Sequence, residues 1–467
     1  MSAAGTGGCF SMRIHLLRPF TGALSLCALA ACSGADSSSS QAAGIVKIEA
    51  PAAAASSSTE VLGPLAATAT TTAANSFASF DFAGGTRLPD KATLSIEPAV
   101  FQPGASVAHV PVTLDRPTPN TVIARVITLN GSGDLRALSG TNYKTVDTVV
   151  VFRPGDPLRQ TVAVPIVSAK QGQQFAFKLR EAPWGANQGT AQATVTADAG
   201  RAPTTPATAG FRAPRSFAAT GALQYEMKKE TMRWSDPGWP NVWSTKLSHG
   251  RAQVANGETG MYLDGWLYPG IEAPLRYTDQ GLVMHTQKLA TPINYEGVDY
   301  HYGSVVLSGH NTTATHIGYG QYEWVAKMPN RRGAWPALWL ISTSGWPPEI
   351  DVYEGFGQQS YWNFDAHIAA TIHGGANATR SFQRGSVIQA QQAYGLSGFS
   401  RDFHRYAVDI QPDYITWFVD GLEVYQSVNP FKGFRWYPIM NVAVKTTGAY
   451  DDGSGDMIVK SFRAWAQ

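Results

Sequence analysis

Short runs in which apolar and polar residues alternate recur along most of this chain. Between about Ser76 and Asp198 they include Val107-Ala108-His109-Val110-Pro111-Val112-Thr113-Leu114, Val122-Ile123-Ala124-Arg125-Val126 and Gln160-Thr161-Val162-Ala163-Val164. A period of two is that of a strand with one face buried, and turn residues such as Arg153-Pro154-Gly155-Asp156 separate the runs. The pattern predicts a small antiparallel β-sandwich of the immunoglobulin type. From about Arg215 onward the alternation continues with a higher density of Trp, Tyr and Phe, and Asp420-Gly421 marks a tight hairpin. That half is expected to form a larger two-sheet antiparallel jelly roll whose concave sheet carries the site. The fold class is therefore all-β.

One run breaks the rule that strands are poor in acids: Glu349-Ile350-Asp351-Val352-Tyr353-Glu354. Glu349 and Asp351, two apart, share a face, and Ile350 and Val352 point the other way. Glu354 would fall on the wrong face unless Val352 or Tyr353 is absorbed by a β-bulge, which the sequence predicts. Three acids on one surface cannot all stay charged at neutral pH, so one should hold a proton. An ionised carboxylate beside a protonated one is what glycosidic bond cleavage requires, and a retaining mechanism needs them roughly 5 to 5.5 Å apart. The alternative is an acidic solvent face on an edge strand.

The flanking residues decide between these. Tyr319-Gly320-Gln321-Tyr322-Glu323, Gly333-Ala334-Trp335-Pro336-Ala337-Leu338-Trp339-Leu340, Trp346-Pro347-Pro348-Glu349-Ile350-Asp351, Asp402-Phe403-His404-Arg405-Tyr406 and Tyr437-Pro438-Ile439-Met440-Asn441 stand in order. Together they resemble glycoside hydrolase family 16, the laminarinase, agarase and carrageenase family, with its bulged E-x-D-x-x-E signature and concanavalin-like sandwich. The resemblance implies that Glu349 is the nucleophile and Glu354 the general acid and then base, with Asp351 orienting the nucleophile. It also implies that Trp335, Trp339 and His373 line the cleft, with core packing as the other reading for the tryptophans and a structural histidine as the other for His373. No cofactor is required. Lys460 stands where many relatives carry an acid, which argues against a structural calcium ion, and Asp451 to Asp456 reads as a solvated turn; the metal assignment stays open.

Before these modules the chain is of another kind. Residues 1–31 read as a secretory signal, with an apolar run from Phe20 to Ala31, and Leu29-Ala30-Ala31-Cys32 resembles a lipobox that would make Cys32 the lipidated first residue. Cys9 and Cys27 lie before that cut, so no disulfide is expected. Residues 32–75 are an Ala/Ser/Thr-rich flexible tether, 76–200 the small sandwich, 201–214 a Pro/Thr/Ala linker and 215–467 the catalytic region. Gly140-Thr141-Asn142-Tyr143 with the following V-x-F-x-P-G-D resembles a Calx-β domain, and Asn142 stands where that family has a calcium-binding Asp.

A formal net charge of +2 argues against a nucleic-acid partner. The expected protein is an exported monomer, attached to the membrane only through its lipid and destined, by resemblance to sorting rules, for the outer membrane. Its partner is a polysaccharide, with β-1,3- or mixed-linked glucan favoured by Trp346-Pro347-Pro348 over an exopolysaccharide or algal galactan. A transglycosylase and a non-catalytic carbohydrate-binding protein are the alternatives.

Overall fold

The computed structural model describes residues 91–228, 242–377, 380–446 and 456–467. The leader, Cys32, the tether and the turn at 451–455 lie outside the described residues. What is described is built almost entirely of strands, in two sandwiches.

The smaller one stacks a four-stranded sheet, containing Val107–Leu114 and Arg159–Pro165, on a five-stranded sheet containing Val122–Leu129, Asp147–Phe152 and Gln174–Leu179. Alternate residues of these runs, such as Val110, Val112, Val126, Val150 and Phe177, form its core. That is the inward half of the alternation seen in the sequence.

The larger sandwich stacks two eight-stranded sheets. The sheet that carries the acids is ordered Gly260–Tyr262, Val298–Ser308, Trp436–Val444, Ala334–Ser342, Glu349–Glu354, His367–Asn377 and Arg380–Gln389, with Gln287–Tyr295 paired to Val298–Ser308. The opposite sheet centres on Met457–Ala466, Gly320–Lys327, His404–Ile410 and Tyr414–Val419. Between them lies an apolar core that includes Trp324, Leu338, Leu340, Ile350, Tyr353, Trp417 and Phe462. Asp420 and Gly421 have φ of 50° and 83°, the left-handed pair of a two-residue hairpin joining Tyr414–Val419 to Leu422–Val428.

Leu422–Val428 ends the opposite sheet, and the small sandwich covers it. The Thr121 amide donates to the Gln426 carbonyl at 2.9 Å and the Val428 amide to the Pro119 carbonyl at 2.8 Å. Ile123 of the small sandwich is buried within the large core, and Trp184 packs against that core. An exposed strand edge is a template for aggregation, and here it is occupied. The stretch at 201–214 is tied down at both ends: Thr204 donates its amide to the Val100 carbonyl, and Arg212 forks onto Glu423.

Candidate active site

Strand register locates the acids. Glu349 pairs with Ile341, Asp351 with Trp339 and Glu354 with Ala337, while Ile350 pairs with Leu340 and Tyr353 with Leu338. Residues opposite each other in a sheet share a face. The partners of the three acids alternate cleanly along the neighbouring strand, so all three acids point to the face that also carries Trp335 and Trp339. This needs one unpaired residue, and Val352 is it: Asp351 to Glu354 spans three steps against two from Thr371 to Ala369 on the other neighbour. Both Val352 and Tyr353 go into the core. Two adjacent apolar residues on one side are what a bulge accommodates and a regular strand does not.

The bulge is braced from across the core. Trp417, on the opposite sheet, donates its indole N–H to the Asp351 carbonyl at 2.8 Å, and both groups are buried. Trp417→Phe keeps the ring and leaves that carbonyl without its donor, which should cost about 1–3 kcal/mol of stability. It should also lower turnover per folded molecule, as read by thermal unfolding alongside activity. An unchanged rate would mean the brace does not set the acids' positions.

Around the acids the geometry is tight. His373, paired in register with Glu349, brings its Nε2 to 3.2 Å from an Asp351 oxygen and 3.7 Å from a Glu349 oxygen. The Asp351 side chain is 4% exposed and that of Glu349 16%, so the first is sealed in and the second reaches the surface. Trp335 donates its indole N–H to Glu354 at 3.3 Å. Trp339 donates to Asn441 at 2.7 Å, and its ring packs with Tyr262, Val306 and Ile439 on the outer face of the sheet. Trp346, 45% exposed, lies with its ring 6.5 Å from that of His373.

Burial and mutual repulsion set the proton affinities. Burial first, then the Asp351 charge, holds Glu349 well above the ordinary carboxylate range, and burial with the Glu354 charge does the same for Asp351. Glu354 is pushed up to about 7 by burial, with Glu349 adding to the rise and His373, the Trp335 N–H and Lys445 opposing it. The three titrate as one cluster. A proton shared between Glu349 and Asp351 leaves one negative charge between them, which can reside on Glu349 when Asp351 holds the proton. Glu354, poised near neutrality, can then give a proton and take one back. Glu349, Asp351 and His373 also bring ligand atoms within 4.8 Å of one another, a spacing a cation could bridge.

Two nearby groups were not read from the sequence, Lys445 and Glu258, and Trp346 was read only as part of the Trp346-Pro347-Pro348 motif. Lys445 follows directly on the nine-residue, wholly buried strand Trp436–Val444, and a lysine at the end of such a strand is the one available signal. Its Nζ lies 4.6 Å from the centre of the Trp335 ring. Glu258 is 7% exposed, an uncommon place for an acid.

Comparison with known families bears on this sheet directly. Residues 273–457 match the family model of glycosyl hydrolases family 16. The matched stretch contains all three acids and His373. An endo-1,3-1,4-beta-glycanase, EglC, from Rhizobium meliloti is 30% identical over 221 residues, 46% of this chain and 44% of the relative. A beta-glucanase from Rhodothermus marinus is 33% identical over 171 residues, 32% of this chain and 54% of the relative. The chain thus spans about half the length of the curated relatives it matches. Among solved structures, a laminarinase catalytic domain from Thermotoga maritima is 24% identical with a TM-score of 0.42, covering 53% of this chain and 98% of that one.

Proposed function

We propose that this protein is a retaining endo-β-glycanase that cuts a polysaccharide by double displacement, with a β-1,3- or mixed-linked glucan as substrate. The observation that carries the reading is the bulge at Val352, which gathers Glu349, Asp351 and Glu354 on one face in surroundings that favour a retained proton. In the first step Glu349 attacks the anomeric carbon and Glu354 protonates the departing oxygen. In the second, Glu354, now ionised, takes a proton from the water that releases the sugar from Glu349. Glu349 and Asp351 share one proton, and the attacking form is the one in which the buried Asp351 carries it and Glu349 carries the charge. Trp335 and Trp346 offer ring faces to sugars on either side of the acids. The family match supports glycoside hydrolysis, and the substrate class is supported by the relatives' names, an endo-1,3-1,4-beta-glycanase and a beta-glucanase.

The test uses the full chain on laminarin, lichenan, agarose, carrageenan and a bacterial exopolysaccharide, following reducing ends. Proton NMR on the first minutes of the productive reaction should show the β-anomer before mutarotation. Initial α-anomer would replace the double displacement with single inversion, and no new reducing ends on any glucan would remove the substrate assignment.

A further inference from the structure

Lys445 sits in a built position. Its ammonium donates to the Asn256 carbonyl at 2.9 Å and lies over the face of Trp335, the ring whose N–H reaches Glu354. Room for it is made by Gly257, in the left-handed region at φ 75°, where an added Cβ would come within 3.1 Å of the lysine chain. The turn that holds Asn256 and Gly257 is fixed in turn to the lysine's own strand: Thr259 donates its amide to the Val444 carbonyl and accepts the Thr446 amide. Next to Gly257 in the chain is Glu258, buried, with one carboxyl oxygen that has no hydrogen-bond partner, and pushed up to about 7 by burial against the opposing hydrogen bonds of Tyr262 and Asn256 and, after them, the charge of Lys445.

We infer that Lys445 is a positioning residue for the acid/base step: held between the Asn256 carbonyl and the Trp335 ring, it fixes the indole N–H on Glu354 and supplies the cation that Glu354 and Glu258 share. The inference rests on the reading of Glu354 as acid and base. As Glu354 gives its proton to the departing oxygen, its carboxyl becomes a carboxylate. A fixed cation and an aimed N–H stabilise that charge in place, with no reorganisation at the moment it forms. The groups facing Glu354 are Glu349 and Asp351 on its own strand, His373 from the next strand, the Trp335 N–H from the strand on the other side, and Lys445 beyond it. Only the last three favour the ionised form. Burial lowers the proton affinity of Lys445 itself, and the charges of Glu258 and then Glu354 oppose that and favour its cationic form.

Removing a cation raises a neighbouring carboxyl's proton affinity, so Glu354 should stay protonated to higher pH. In Lys445→Met the basic limb of kcat/KM, on the full chain with a soluble mixed-linked glucan, is expected to move up by about one pH unit. kcat at the optimum should fall about tenfold with KM little changed, and Lys445→Arg should return the limb toward wild type. On an aryl glucoside whose leaving group needs no proton, the Lys445→Met loss should shrink. Trp335→Phe, which lacks the N–H, should move the limb in the same direction and serves where the lysine variant does not fold. A limb unmoved in Lys445→Met and Trp335→Phe would overturn the inference. A Glu354→Gln variant as active as wild type would instead overturn the reading beneath it, so the two failures are distinct.

Discussion

Glu349→Gln is expected to lose turnover by on the order of 10⁴-fold or more while still binding uncut polysaccharide. The amide has the shape of the acid and takes its place on the strand, yet it cannot attack an anomeric carbon. On the proposed reading the other contacts to a long glucan are made by aromatic faces such as those of Trp335 and Trp346, so affinity electrophoresis in the hit polysaccharide should show retardation close to that of wild type. Stability should move the opposite way from activity. Glu349 holds its proton more tightly in the fold than its ordinary value of 4.5, because burial and Asp351 disfavour its charge. A carboxyl of that kind costs stability as pH rises from the unfolded value toward the raised folded one. The variant has no proton to lose, so its melting temperature at neutral pH should exceed that of wild type, and the gap should close at low pH. Wild-type turnover in Glu349→Gln would remove the nucleophile from the scheme.

That conflict between local chemistry and folding is also why the grouping of the three acids at the candidate site was legible in the sequence. A strand with acids at Glu349, Asp351 and Glu354 breaks the alternation, and apolar Val352 and Tyr353 leave only one way to reconcile it, with both turned inward. The hairpin at Asp420-Gly421 is similarly local, since two residues decide its backbone. Lys445 and Glu258 are of another kind. Lys445 comes beside Trp335 because Trp436–Val444 lies beside Ala334–Ser342, and Glu258 comes near Lys445 because Gly260–Tyr262 lies beside Val298–Ser308, which itself pairs with Trp436–Val444, pairings between segments far apart in the chain. Nothing near either residue encodes that order. The docking of the small sandwich was hidden for the same reason: composition at 201–214 predicts a linker, and only the paired structure shows what Arg212 reaches.

The consequence of that docking is the second large effect, on stability. Glu423 is 2% exposed, and four donors converge on its carboxylate. Arg153 of the small sandwich approaches at 3.2 Å, Arg212 places two N–H groups at 2.7 and 2.8 Å, and the Arg215 amide donates at 2.9 Å. Burial alone would raise its proton affinity; the Arg212 and Arg215 hydrogen bonds more than offset that and hold Glu423 below the ordinary carboxylate range. A depressed carboxyl contributes stability that is present above its unfolded value and is lost as pH falls through the folded one. Glu423→Ala leaves Arg153, itself 7% exposed, as a buried cation without its partner. Breaking a buried pair from one side typically costs about 3–5 kcal/mol. Unfolding by urea should therefore shift by that amount at neutral pH, and by progressively less as pH falls below 4.5 and the wild-type carboxylate takes up its proton. Because the pair joins the two sandwiches, the variant should also unfold in two steps where wild type unfolds in one. Cleavage chemistry, on the other sheet, should persist in the folded fraction. A single transition with unchanged midpoint would mean that the two sandwiches are held by the Thr121 and Val428 backbone bonds and by the burial of Ile123 and Trp184 alone.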